Sequence, residues 1–347
     1  MAHRGDALGK DVCCIDDLKR LGSERMTPMN RDYYNGGAMD LISLRDNEAA
    51  FDRYKIRPRI LVNVAEISTK TKILETIVSL PFGFSPAASH KLAHPDGELA
   101  TSRAAAKFGI CIGLSSYSTT SLEDVILEGQ GNPYAIQMCV LRDRSLTFTT
   151  VGARREWAGY KAVFLSVDVP VLGHRLNEYR NDFRIPPAMS YPNILSNGAD
   201  RSSRTDYDPT LPWLQEHTSM KIWLKGVMSP EDVDLAICHG ADVPSTLDAL
   251  RACGPAAKGK IPIAIDGGIR RGSDIFKALA LGADYCFLGR VPVWGLAYDG
   301  QQGVELAIKI LQMELKTTMA LAGCRTVAEI QKSYLSVLRP DGELAKL

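Results

Sequence analysis

Charged and polar side chains recur in this sequence at the ends of short apolar runs, where a fold could gather them. In Ile261 to Arg290 one run ends in Asp266-Gly267-Gly268-Ile269-Arg270-Arg271, and a second, Tyr285 to Leu288, ends in Gly289-Arg290. Glycines after strands let backbone N–H groups approach an anion closely, and Arg270, Arg271 and Arg290 supply charge, so this unit reads as a phosphate site. The alternative is a pair of plain turns with solvated arginines. Upstream, Pro86-Ala87-Ala88 follows one run and Ser115-Ser116 another. Gln137 lies within a third, Ser166 and Asp168 end a fourth with Arg175 beyond, and Lys225 closes a fifth. An ammonium after an apolar strand needs an anionic partner. A ring of donors opposite a phosphate site suits a flat, hydrogen-bonding, phosphorylated cofactor better than a sugar or a metal.

The elements that must position these groups follow from periodicity. Strands are expected at Phe82 to Ser85, Ile110 to Leu114, Ala135 to Val140, Ala162 to Val167, Ile222 to Leu224, Ile261 to Ile265 and Tyr285 to Leu288, separated by helical patterns. Strands alternating with helices imply a parallel sheet, and polar residues at their C-terminal ends imply a (β/α)8 TIM-type barrel. In that fold the loops after strands 7 and 8 are the usual phosphate site. Seven strands are visible where a closed barrel needs eight. Residues 1–46 read as a helical N-terminal extension and 47–347 as the barrel. Within the extension Asp16 opens one helical segment, Met29 to Asn35 forms another, and Asn35-Gly36-Gly37 breaks it. Ser273 is expected to cap the helix after the phosphate turn. Arg57 to Val62 reads as a cap strand and Arg180 to Leu211 as a long surface loop.

Composition narrows the function classes. The 347 residues are 45% hydrophobic with a formal net charge of +1, which gives no electrostatic reason to expect nucleic acid or an acidic membrane. Eight scattered cysteines, without CxxC or Cys/His ligand spacing, read as reduced thiols of an intracellular protein and not as a metal site. No apolar stretch reaches membrane-spanning length, and the polar start is unlike a signal peptide. Ala345-Lys346-Leu347 resembles a peroxisomal address, with the cytoplasm as the alternative location.

These residues carry a resemblance to the FMN-dependent α-hydroxy acid oxidase/dehydrogenase family, of which glycolate oxidase is a member. It runs from about Asp32 to Leu338. Its parts are Asp32-Tyr33-Tyr34, Pro86-Ala87-Ala88 with Ala93 to Glu98, Leu114-Ser115-Ser116, Leu165-Ser166-Val167-Asp168, Leu224-Lys225-Gly226, Asp266 to Gly272, Gly289-Arg290 and Met319 to Arg325. The resemblance implies FMN as cofactor, a 2-hydroxy acid as substrate, and oxygen or another electron acceptor. It implies that Pro86, Ala87, Ala88, Ser115, Gln137, Ser166 and Lys225 contact the flavin. Asp266, Gly267, Gly268, Ile269, Arg270, Gly289 and Arg290 would hold the ribityl phosphate. Tyr33 and Arg175 would bind the substrate carboxylate, and Lys225 would stabilise negative charge on the reduced ring. A homo-oligomer is also expected.

Two departures qualify the resemblance. Where the family has Gln-x-Tyr, this chain has Gln137-Met138-Cys139, which removes a phenolic donor and implies a different, bulkier 2-hydroxy acid. The family's base lies after the sixth strand, in a motif close to Ser-Asn-His-Gly-Gly-Arg-Gln-Leu-Asp. Here Leu235 to Asp242 instead resembles Ala278 to Asp284, a helix end leading to a strand, and Val243-Pro244-Ser245-Thr246 is expected to open a helix at once. One contiguous loss of about a dozen residues would remove the sixth strand and the loop carrying the His and the Arg. His239 then ends a helix and is not the base, and Asp168 lacks the His it would pair with. The alternative function is a catalytically impaired relative that keeps part of the FMN site.

Overall fold

The computed structural model describes residues 11–139, 158–168, 172–194, 211–339 and 341–347. Eight parallel strands form one sheet: Phe82–Phe84 (β1), Ile112–Ser115 (β2), Tyr134–Met138 (β3), Ala162–Ser166 (β4), Lys221–Lys225 (β5), Val243–Ser245 (β6), Ile263–Asp266 (β7) and Tyr285–Leu288 (β8). Their order, 5-4-3-2-1-8-7-6, is that of a (β/α)8 barrel opened between β5 and β6. That seam is closed by backbone hydrogen bonds, Leu224 N–H to Asp242 O at 2.6 Å and Asp242 N–H to Ile222 O at 2.9 Å. The interior alternates large and small side chains: Phe164, Trp223, Tyr285 and Phe287 beside Ala135, Ala162 and Ala264. This interdigitation fills a barrel of this size without leaving a pore. A hairpin, Thr71–Ile73 with Thr76–Val78, contributes Ile73, Leu74 and Val78 to the same inner cluster.

The sixth position needs a correction in detail. A strand and catalytic loop of ordinary length are missing between Asp242 and the helix Leu247–Ala257, as expected, but the place is not empty. Val243–Ser245 pairs in parallel with β7, Val243 opposite Ile263 and Ser245 opposite Ile265, instead of opening the helix. The physical reason is that β5 and β7 would otherwise present unpaired N–H and C=O groups inside the protein. Pro244 has no N–H to give, so the replacement ladder lacks a donor there. Only Thr246 separates β6 from the next helix. No loop remains at this strand end to carry side chains toward the mouth.

Other boundaries move by a residue or two. The first strand pairing outside the barrel is Tyr54–Ile56 with Leu335–Leu338, so the cap strand lies just before Arg57 to Val62. Pro58 cannot donate, and Leu61 has φ of 60°, both incompatible with continuing the ladder. Leu335–Leu338 also pairs with Leu344–Lys346. The helix Gly272–Ala280 is capped at Arg271, not Ser273, because the Asp274 carboxylate accepts the N–H groups of Arg270 and Arg271 at 3.0 and 2.9 Å. Of the expected loop, 181–194 is irregular, and 195–210 lie outside the described residues. Among the described residues, no helix is long and apolar enough to cross a membrane.

Candidate active site

The polar strand ends meet at one mouth. Asp266, at the end of β7, accepts from Ser85 Oγ at 3.2 Å and faces Lys225 Nζ at 3.1 Å. Lys225 thereby has the anionic partner its position required. Asp266, against the opposing effect of burial and with Asp168 adding to it, holds the ammonium above its ordinary range. Asp168 packs on the Lys225-Gly226 turn: Gly226 has φ of 106°, and a Cβ there would lie 2.3 Å from the Cβ of Asp168. Across the mouth, Ser115 Oγ donates to Gln137 Oε1 at 3.3 Å, and Gln137 Nε2 donates to Ser166 Oγ at 3.1 Å. Three adjacent strands thus align a row of hydrogen-bonding groups. Cys139 lies 3.7 Å from Gln137 Nε2.

The loop after β1, containing Pro86, Ala87 and Ala88, is held from behind. Tyr34 donates its hydroxyl to Ser89 O at 2.6 Å, and buried Glu98 accepts from His90 N–H and from Thr119 and Thr120. A cavity of about 370 Å³ opens beside this loop. Its walls include Ser85, Pro86, Lys225, Asp266 to Arg270 and Gly289-Arg290, together with Gly37, Ala38, Leu44 and Asn47. This volume lies within the range usual for ligand sites, about 300–1,000 Å³.

The arginines at the far end of the cavity are unevenly paired. Arg290 sits at the start of the helix Arg290–Ala322 and donates to Gly36 O at 3.0 Å. Burial, then the neighbouring Arg270 charge, pulls Arg290 down to about 10. Arg270 lies with its guanidinium 4.8 Å over the Trp294 ring, donates to Ile269 O at 2.8 Å, and pairs with Glu48 at 2.6 Å. Its Nε is buried without a hydrogen-bond partner. Gly268, at φ of 76°, has a second reason to be glycine besides anion approach: a Cβ would fall 1.8 Å from Asn47 O.

Tyr33 and Arg175 form a neighbouring cluster that does not line this cavity. The Tyr33 ring stacks on Phe183 at 4.5 Å, and Arg175 lies 4.9 Å over its face. Burial pushes the Tyr33 hydroxyl up to about 12. Arg175 donates to Tyr33 O at 2.8 Å and forms an ion pair with Glu178, so its charge is already matched. The segment after Asn35 joins the two clusters: Gly36 O receives Arg290, Ala38 lines the cavity, and Met39 N–H donates to His174 O at 2.8 Å.

His239 is exposed and ends the helix Pro230–Cys238, with its carbonyl accepting from Gln215. That helix feeds the N-terminal end of β6, so His239 lies at the opposite end of the barrel from Lys225. His90 is buried, with Nδ1 3.0 Å from Thr101 Oγ1, and burial lowers its pKa. His94 packs on Gly300, and His174 stacks on Tyr179. Glu48, Asn47, Phe183 and Glu178 were not legible as site residues. Glu48, Asn47 and Phe183 meet partners distant in sequence, and Glu178, three residues after Arg175, carries no motif.

The profile of the FMN-dependent dehydrogenase family matches residues 22–337. The chain belongs to that family. Oxidase FUB9 of Fusarium oxysporum f. sp. lycopersici is 46% identical over 364 positions, covering 96% of this chain and 93% of the relative. That span exceeds the 347 residues of the chain, so the relative carries residues that this chain lacks. Glycolate oxidase of Spinacia oleracea is 38% identical, covering 94% and 96% of the two chains. The crystal structure of a soluble mutant of (S)-mandelate dehydrogenase from Pseudomonas putida superposes with a TM-score of 0.87 at 31% identity, over 93% of this chain and 99% of that one. FMN-dependent family members share this barrel, and the donor set here fits the group: a row of hydrogen-bonding side chains at one end, and two half-buried arginines at a glycine turn at the other.

Proposed function

We propose that this chain binds FMN at the C-terminal mouth of the barrel and oxidises a 2-hydroxy acid to the 2-oxo acid. Ser115, Gln137, Ser166 and Lys225 would hold the ring system with the Pro86 to Ala88 loop. Asp266 to Arg270 and Gly289-Arg290 would hold the ribityl phosphate. Bound there, FMN would supply the hydride acceptor, with oxygen or another acceptor as the final oxidant. Lys225 supplies positive charge where negative charge accumulates, and Asp266 keeps it protonated. Tyr33 and Arg175 would bind the substrate carboxylate, which must compete with Glu178 for the guanidinium. Among the described residues no histidine lines this cavity. Asp168, beside Lys225, is the carboxylate proposed to receive the substrate's proton in place of an imidazole. A peroxisomal address is proposed on Ala345-Lys346-Leu347 alone, and homo-oligomerisation is proposed for measurement by light scattering.

The observation that carries the cofactor reading is the arginine pair: Arg290 with its charge disfavoured by burial, and Arg270 with a buried, unpartnered Nε. An anion beside the pair would favour the charged form of Arg290. Protein purified with excess FMN should be yellow, and Arg290→Glu should weaken FMN retention by about tenfold or more, equivalent to about 1.4 kcal/mol. Colourless wild-type protein that titrates with no FMN would sink the assignment.

A further inference from the structure

An anion already sits against one of the arginines that line the phosphate end of the cavity. Glu48, on the helix Ile42–Ala49, places Oε1 2.6 Å from Arg270 Nη2, across 222 residues of sequence. The helix end that carries it is pressed on the glycine turn, with Asn47 O against Gly268 and the Asn47 side chain beside Gly267. The carboxylate is also poorly placed for its own helix, since a negative charge in the last turn opposes the helix dipole. The pairing therefore exists for Arg270 and not for the helix. Glu48 also favours the charged form of Arg290, so it acts on both arginines.

Resting on the FMN reading above, we propose that Glu48 is a resident counter-anion that competes with the cofactor's phosphate for Arg270. With Glu48 in place, the two arginines present a single net positive charge to an incoming phosphate. Without it they present two. A phosphate monoester carries about −1.5 to −2 charges at neutral pH, so it meets repulsion from Glu48 and loses one donor of the Arg270 fork. Arg270 would stay in position without Glu48, because Trp294 lies under its face and Ile269 O holds Nη1. Glu48 therefore weakens retention of phosphorylated ligands specifically.

The test compares FMN with riboflavin, which has the same ring and ribityl chain but no phosphate. Dissociation constants are measured by flavin fluorescence for the full-length wild type, Glu48→Gln and Glu48→Ala, with inorganic phosphate as a competitor. Circular dichroism checks that each variant is folded. Both variants should bind FMN about tenfold more tightly, leave riboflavin affinity unchanged, and show a lower inhibition constant for inorganic phosphate against FMN. Weaker FMN binding with unchanged riboflavin binding would overturn the proposal and make Glu48 a positioning residue for Arg270. Equal changes for both flavins would overturn it in favour of a purely structural pair. A wild type that binds neither flavin rejects the cofactor reading itself, and the proposal with it.

Discussion

Asp242 sits where the chain is shortened, and its replacement by Asn tests whether that junction is strained. Its backbone closes the barrel seam between β5 and β6. Burial raises the carboxyl from the usual 3.8 to about 6, with the neighbouring Asp284 adding to the shift and Lys221 opposing it. The folded chain thus binds this proton more tightly than the unfolded chain. The group's favourable contribution is present at low pH and is lost as pH rises from the unfolded value through about 6. A gap of about 2 units corresponds to about 3 kcal/mol, at about 1.4 per unit. The site is partly open to water, and solvent screening reduces this to about 1–2 kcal/mol. Asn keeps the backbone bonds and has no charge to bury. Asp242→Asn should therefore match the wild type near pH 4, pull ahead through pH 5 and 6, and exceed it by about 1–3 °C in melting midpoint at pH 8. Melting and urea midpoints measured from pH 4 to 8 provide the assay. A difference constant across pH would refute the reasoning, and a variant less stable at pH 8 would refute it and show that the Lys221 contribution dominates.

Three further outcomes follow from the site. Lys225→Met should slow flavin reduction in stopped-flow by about 10²–10³ while FMN affinity changes less than tenfold, because its charge matters most as the ring becomes anionic; equal reduction rates would reduce Lys225 to a strand-end partner of Asp266. His239→Ala should leave FMN loading and any 2-hydroxy acid turnover unchanged, and a folded, loaded variant without activity would make His239 the base after all. Inserting a family-like Ser-Asn-His-Gly-Gly-Arg-Gln-Leu-Asp strand and loop between Asp242 and Val243 should raise both the urea midpoint and turnover; no gain in either would show that the short β6 already satisfies the fold and that the site works without the loop.

What was legible in the sequence was set by neighbours along the chain. Tyr285 to Leu288 is a strand because a compact apolar run meets a glycine, and β1 to β5 and β7 fall within a residue or two of their apolar runs for the same reason. The Gly-Arg turns, Lys225 and the Ser115, Gln137 and Ser166 row could be read because a parallel strand delivers its C-terminal residue to the mouth wherever the strand lies in the barrel. Even the shortening was visible, since Leu235 to Asp242 repeats the pattern of Ala278 to Asp284 without an apolar run of ordinary strand length after it.

Only the tertiary structure decided how Val243–Ser245 behaves. Its own residues favour opening a helix, but unpaired edges on β5 and β7 impose a strand, and that demand comes from residues on either side in space. The same holds for charge. Arg175 is matched by Glu178, Lys225 by Asp266, and Arg270 by Glu48, and the last two pairings join residues that only barrel closure and the docking of Ile42–Ala49 bring together. Sequence sets which groups can ionise and which backbone can turn. Long-range packing sets which charge is left over for a ligand, because it fixes the distances and the burial on which pairing depends.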